Sequence, residues 1–166
     1  MQENDPLLFK YLDIKEEGGL SLKLEPPVAG YADLFDLPNV LKKVTLELNF
    51  HVGVDSIVLE GRAGAELEMI CSRCAEPLAR SFSDSFDEVY PDTVEYIDTR
   101  EVIRETVGLL APIKVLCSDS CKGRCLVCGI NRNRLVCACK AEKASTFGAL
   151  QGLKLKKPDK PGKKDI

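Results

Sequence analysis

The chain has 166 residues, 45% of them hydrophobic, with no Trp and a formal net charge of −3, enough apolar content for one core of ordinary size. No apolar run approaches the ~20 residues of a membrane-spanning helix. The start, "MQENDPLLFKYLDIKEEGG", has neither the basic region nor the apolar stretch of a secretory signal, so a cytoplasmic address is expected, where glutathione keeps thiols reduced.

In chain order, "LLFKYLDI" and "GLSLKLEP", joined by "KEEGG", are expected to form the two strands of a hairpin. "PPVAGYADLFDLPNVLKK" is a connection, with room for one short helical turn. Val44, Leu46, Leu48, Phe50 and Val52 then alternate with polar residues, the mark of a half-buried strand. A second long strand repeats this period from Ile57 through Met69, and its Gly61 and Gly64 suggest a bend or bulge. It runs straight into "CSRC", and Leu78, Phe82, Phe86 and Tyr90 follow at wider spacing. Cys71 and Cys74 therefore fall at the tip of an antiparallel hairpin. Val102, Ile103, Thr106, Val107 and Leu110 recur at helical spacing, with Asp98 or Thr99 as N-cap and Pro112 as the stop. The end, "LKLKKPDKPGKKDI", is rich in Lys and Pro without apolar period, a composition expected to be disordered.

Charge divides the chain. Residues 1–113 hold 10 Lys+Arg against 22 Asp+Glu, a net of −12, while residues 114–166 hold 13 against 4, a net of +9. An acidic body with a basic end suggests a polyanion at that end, or simply a solvated tail.

The chemistry lies in eight cysteines. Cys71/Cys74 and Cys125/Cys128 are C-x-x-C pairs, Cys117/Cys121 is C-x-x-x-C, and Cys137/Cys139 is C-x-C. Four clustered thiol pairs in a reducing compartment point to metal, and zinc takes four thiolates in a tetrahedron. The most economical division makes Cys125, Cys128, Cys137 and Cys139 one local site and leaves Cys71, Cys74, Cys117 and Cys121 as a second. Two such sites, each a net −2, would move the formal charge from −3 to about −7. Arg73, Lys122, Arg124, Arg132 and Arg134 lie beside these ligands and offset part of it. The alternatives are a thiol-redox pair, which wants its C-x-x-C at a helix N-terminus, and an iron–sulfur cluster, which also takes four thiolates. A role as buried apolar residues is disfavoured by the Ser, Lys, Arg and Asn around them. His51, the single histidine, sits on the polar side of its strand and is expected to be exposed. No paired carboxylates, Ser–His–Asp set or phosphate loop offers a catalytic site.

The order of these features resembles the YceD-like family, bacterial and plastid proteins linked to accumulation of large-subunit ribosomal RNA. The resemblance covers roughly residues 8–140. It rests on C-x-R-C at Cys71–Cys74 and on the run Cys117, Cys121, Gly123, Cys125, Cys128, Gly129, Asn133, Cys137, Cys139. Arg124 stands where the family's "GLC" would have Leu. Some family members lack the cysteines, which implies structural metal. The expectation that follows is a non-enzymatic factor in large ribosomal subunit biogenesis, with no membrane and no small-molecule substrate. It would carry one or two Zn2+ and bind ribosomal RNA or a basic large-subunit ribosomal protein. The RNA-facing residues would be Lys122, Arg124, Arg132, Arg134, Lys154, Lys156 and Lys157. The expected fold is α+β: an antiparallel meander of five or six strands with one main helix. Its divisions are an acidic β-rich domain over 1–116, a zinc-ribbon-like segment over 117–140 packed on it, and a basic tail over 141–166.

Overall fold

The computed structural model describes residues 5–140; the expected tail, with Lys154, Lys156 and Lys157, lies outside them. The described chain is mixed, mostly antiparallel sheet with two helices. In order it runs β1 (Leu8–Lys10), α1 (Tyr11–Glu17), β2 (Gly19–Leu24), two short 3-10 turns (Val28–Gly30 and Ala32–Leu34), β3 (Val40–Val52), β4 (Ser56–Ile70), β5 (Pro77–Pro91), β6 (Tyr96–Asp98) and α2 (Arg100–Leu109). Strands β2-β3-β4-β5 form a four-stranded antiparallel meander in sequence order, and β1 pairs with β6 in a separate ladder.

The first hairpin is corrected. "LLFKYLDI" is not one strand, because the chain leaves β1 after three residues and coils into α1. Tyr11 and Ile14, spaced i, i+3, are the helix's buried residues, and that spacing puts them on one face. Gly18 ends it at φ 75, with its N–H turned back to the carbonyls of Ile14 and Lys15, a left-handed cap that glycine adopts without strain. The "KEEGG" joint is thus a helix end and not a hairpin turn, and the described residues hold two helices where one main helix is expected.

The long strands follow the alternation. Val44, Leu46, Leu48 and Phe50 of β3 and Ile57, Leu59, Ala63, Ala65, Leu67 and Met69 of β4 are buried on one sheet face. Residues Ile103 and Val107 of α2, with Tyr11 and Ile14 of α1, complete the same core. The glycines do not bend β4: its register with β3 and β5 passes unbroken through Gly61 and Gly64, and the irregularity lies between Leu41 and Lys43. Gly61 makes room instead. The Phe86 ring lies over it so closely that a Cβ there would be 2.1 Å from the ring's Cζ.

Thr99 takes the N-cap position of α2, but its buried hydroxyl donates to the Leu7 carbonyl at 3.0 Å. It is the Asp98 carboxylate that accepts the Arg100 amide, at 3.1 Å, an anion at a helix start. The helix ends three residues before Pro112, whose ring disfavours helical backbone in the residue before it. His51 is exposed, with Nε2 3.6 Å from a carboxylate oxygen of Glu60.

A candidate metal centre with two tetrathiol clusters

Strand β4 ends at Ile70 and β5 begins at Pro77, so the turn between them is the first C-x-x-C. Cys71 N–H donates to the Glu76 carbonyl and Ala75 N–H to the Cys71 carbonyl, both at 2.9 Å. The same knuckle is built again at Cys125, whose N–H reaches the Ile130 carbonyl at 2.8 Å while Gly129 N–H reaches the Cys125 carbonyl at 2.9 Å. Both knuckles need a left-handed residue at the fifth position. The second has Gly129 at φ 74; the first places Ala75 there at φ 55, where a Cβ is strained.

The segment after α2 is tied to the first knuckle. Ser72 N–H donates to the Val115 carbonyl at 2.8 Å, and Val115 N–H donates to Ser72 Oγ at 3.3 Å. Arg73 Nη1 donates to the Cys121 carbonyl (3.1 Å) and Arg80 Nη2 to the Leu116 carbonyl (3.1 Å). These bonds carry Cys117 and Cys121 to Cys71 and Cys74. The four Sγ atoms lie within 4.8 Å of one another, as do those of Cys125, Cys128, Cys137 and Cys139. The grouping is the one the spacing suggests.

In the first cluster Cys71 Sγ is 3.8 Å from Cys121 Sγ, and Cys74 Sγ is 3.6 Å from Cys117 Sγ. A tetrahedral ion with metal–sulfur bonds of about 2.3 Å requires sulfur–sulfur edges of about 3.8 Å, whereas a disulfide would bring them to about 2.05 Å. All eight thiols are free. The donor set and its spacing fit a single four-coordinate ion in each cluster.

Electrostatics agree. Burial pushes the Cys71 thiol up, but the amides of Cys74, Arg73 and Cys117 outweigh it and set the thiol at about 6. The amides of Cys128 and Val127 bring Cys125 to about 6, and the Asn133 side chain lowers Cys121. Cys139 is pushed up to about 12, chiefly by Cys128 beside it. At Cys74 the Glu76 amide pulls the other way, but burial and the neighbouring thiols raise it to about 12. Four thiols so close cannot all ionise unless a cation sits between them.

The clusters differ in cover. Cys71, Cys74 and Cys121 are buried and only Cys117 is exposed, whereas Cys128 and Cys139 of the second cluster are exposed and its other two are half-buried. They are also joined. Asn133, in the loop that closes the second cluster, donates from Nδ2 to Cys121 Sγ at 3.2 Å and accepts the Lys122 N–H at 2.7 Å. Glu76 accepts Asn131 Nδ2 at 3.0 Å and Arg134 at 2.9 Å. Glu76 and Asn131 escape sequence reasoning, since nothing in their spacing marks them; Asn133 is visible only as part of the cysteine run.

Of the basic residues expected to face RNA, two have internal partners. Arg124 Nε donates to the Cys74 carbonyl at 2.8 Å, so the residue standing in place of the family's Leu binds one knuckle to the other. Arg134 pairs with Glu76. Lys122 and Arg132 are exposed.

Comparison with known proteins finds no matching solved structure. The chain is similar to "Large ribosomal RNA subunit accumulation protein YCED homolog 1, chloroplastic" of Arabidopsis thaliana, 38% identical over 74 residues, which is 44% of this chain and 23% of the relative. It is likewise similar to the protein of that description from Zea mays, 32% identical over 65 residues, 39% of this chain and 22% of the relative. The match thus takes in less than a quarter of either relative's length. The family described as "Large ribosomal RNA subunit accumulation protein YceD" matches residues 59–154, more than half of the chain and all eight cysteines within it: the chain belongs to the YceD family.

Proposed function

We propose that the chain is a non-enzymatic factor in the accumulation of large-subunit ribosomal RNA, acting in the cytoplasm, with zinc in both tetrathiol clusters. The process is supported by the YceD family match. The observation that carries the metal is the packing of eight free thiols into two groups with sulfurs 4.8 Å apart or less. Cys71, Cys74, Cys117 and Cys121 would hold one ion and Cys125, Cys128, Cys137 and Cys139 the other. Zinc in such closed sites supplies folding energy and no open position for a substrate.

Contact with ribosomal RNA would fall to the basic end, through Lys122, Arg132, Lys154, Lys156 and Lys157, with Arg124 and Arg134 holding the metal segment in shape behind them. The acidic sheet body would suit a basic large-subunit ribosomal protein. Lys and Arg on phosphates release counterions, so RNA affinity should fall steeply with salt.

The rival reading is an iron–sulfur or thiol-redox protein. The first cluster argues against a multi-iron core, which would hold the sulfurs further apart than 3.6–3.8 Å. Elemental analysis of untagged protein should give two zinc and no iron per chain; brown protein containing iron and sulfide would sink the zinc assignment. Depletion of the protein in its host should lower large-subunit ribosomal RNA relative to small-subunit RNA, and an unchanged ratio would sink the assignment of process. Deleting residues 153–166 should flatten the salt dependence of RNA binding, and an unchanged slope would remove the tail from the RNA interface.

A further inference from the structure

Strand β5 is the outer strand of the four-stranded sheet and pairs only with β4 among the described residues. It runs 15 residues, Pro77–Pro91. Natural edges of this length are guarded by internal Pro, by lysines, by bulges or by a covering element. Here Pro stands only at the two ends, no Lys is present, the register with β4 is unbroken, and the charges, Arg80, Asp84, Asp87 and Glu88, are of mixed sign.

The hydrogen-bond parity shows which groups are open. Cys71 N–H donates to the Glu76 carbonyl beyond one end of the β4–β5 ladder, and Asp92 N–H donates to the Asp55 carbonyl beyond the other. In an antiparallel pair, bonded and non-bonded residues alternate, so the even-numbered residues of β5 bond to β4. The odd ones, from Ala79 to Val89, aim N–H and C=O at the open edge. The middle of the strand agrees: Ser85 N–H donates to the carboxylate of its own neighbour Asp84, at 2.9 Å.

The sequence of β5 is nearly a palindrome about Asp84. In PLARSFSDSFDEVYP, Pro77 answers Pro91, Leu78 answers Tyr90, Ala79 answers Val89, Phe82 answers Phe86 and Ser83 answers Ser85. Two pairs are unlike: Ser81 answers Asp87, and Arg80 answers Glu88. Two antiparallel copies of such a strand, related by a two-fold axis at Asp84, would face apolar to apolar, Ser to Ser or Asp, and Arg to Glu.

We propose that β5 is a self-pairing edge, through which two copies of this chain join their sheets into one of eight strands. A two-fold interface must be self-complementary, and this strand is so in shape, polarity and charge. Phe82 and Phe86, half-buried in one copy, pack against Phe86 and Phe82 of the second. Arg80 meets Glu88 of the second copy twice over, and it is free to do so because its bonds to the Leu116 and Cys117 carbonyls both use Nη2. Ser85 N–H passes from Asp84 to the Ser83 carbonyl of the second copy. Asp84 against its own copy is the single like-charge contact, and two opposite-charge pairs outweigh it.

Sedimentation of the full, metal-loaded chain tests this. Wild type should be a dimer at tens of micromolar. Ser83→Pro removes an N–H that points outward, a loss an edge strand tolerates, and should give a folded monomer whose melting curve no longer depends on protein concentration. Glu88→Arg alone should weaken the dimer roughly tenfold or more, while Glu88→Asp, which keeps the charge, should largely retain it. Asp84→Asn should tighten it. A monomeric wild type would overturn the proposal, including one that instead captures a basic peptide along β5. So would a dimer that survives both Ser83→Pro and Glu88→Arg.

Discussion

Asn133→Ala tests whether the loop of the second cluster governs the first. Asn133 Nδ2 donates to Cys121 Sγ (3.2 Å) and to Asn131 Oδ1 (3.0 Å), and its Oδ1 accepts the Lys122 amide (2.7 Å). A neutral bond contributes about 1 kcal/mol net and one to a charged partner about 1.5–3. Asn133 is an exposed residue, so water replaces most of the two neutral bonds. The bond to a thiolate is harder to replace, and about 2 kcal/mol of it should be lost, roughly 30-fold in metal dissociation. That falls within the 10–100-fold typical of groups that orient metal ligands. In the zinc-loaded protein, competition with a colorimetric chelator should show the first cluster weakened to this extent, with amide exchange at 72–74 reporting its opening. Asn133→Asp should be worse, because it sets a carboxylate against the thiolate. An Ala variant with the wild-type competition curve would refute the reasoning.

Gly61→Ala should destabilise the sheet by about 1–3 kcal/mol in denaturant melts, since its Cβ meets the Phe86 ring at 2.1 Å and overpacking has that cost; a neutral variant would show that Phe86 moves freely. Ala75→Gly should stabilise by roughly 1 kcal/mol, because it relieves a left-handed Ala at φ 55; equal or lower stability would mean that the first knuckle is not strained. Arg100 beside Asp98 holds that carboxyl below the usual carboxylate range. The pair therefore contributes stability above the ordinary carboxylate pKa, and this is lost as pH falls through the lowered one. Asp98→Asn should lower stability at neutral pH and flatten the acid limb of the stability curve, and parallel curves for the two proteins would contradict the pairing.

The sequence by itself determined the parts whose signal is local. Alternation from Val44 to Val52 and from Ile57 to Met69 can be satisfied only by strands with one buried face, and both strands stand there. The helical spacing around Ile103 and Val107 and the thiol pairs at turn spacing were legible for the same reason. Only the tertiary structure decided the rest. Tyr11 and Ile14 suit one face of a helix, yet the short apolar run that holds them suits a strand equally well, and burial against the sheet selected the helix. Gly61 looks like a bend until Phe86, 25 positions later, is seen lying across it. Glu76 and Asn131 are ordinary polar residues in sequence. They join the two clusters only because the fold sets the second knuckle's loop against the first. The open side of β5 follows from the parity of its bonds to β4, which depends on register, and register is a property of two paired strands that neither strand's own sequence contains.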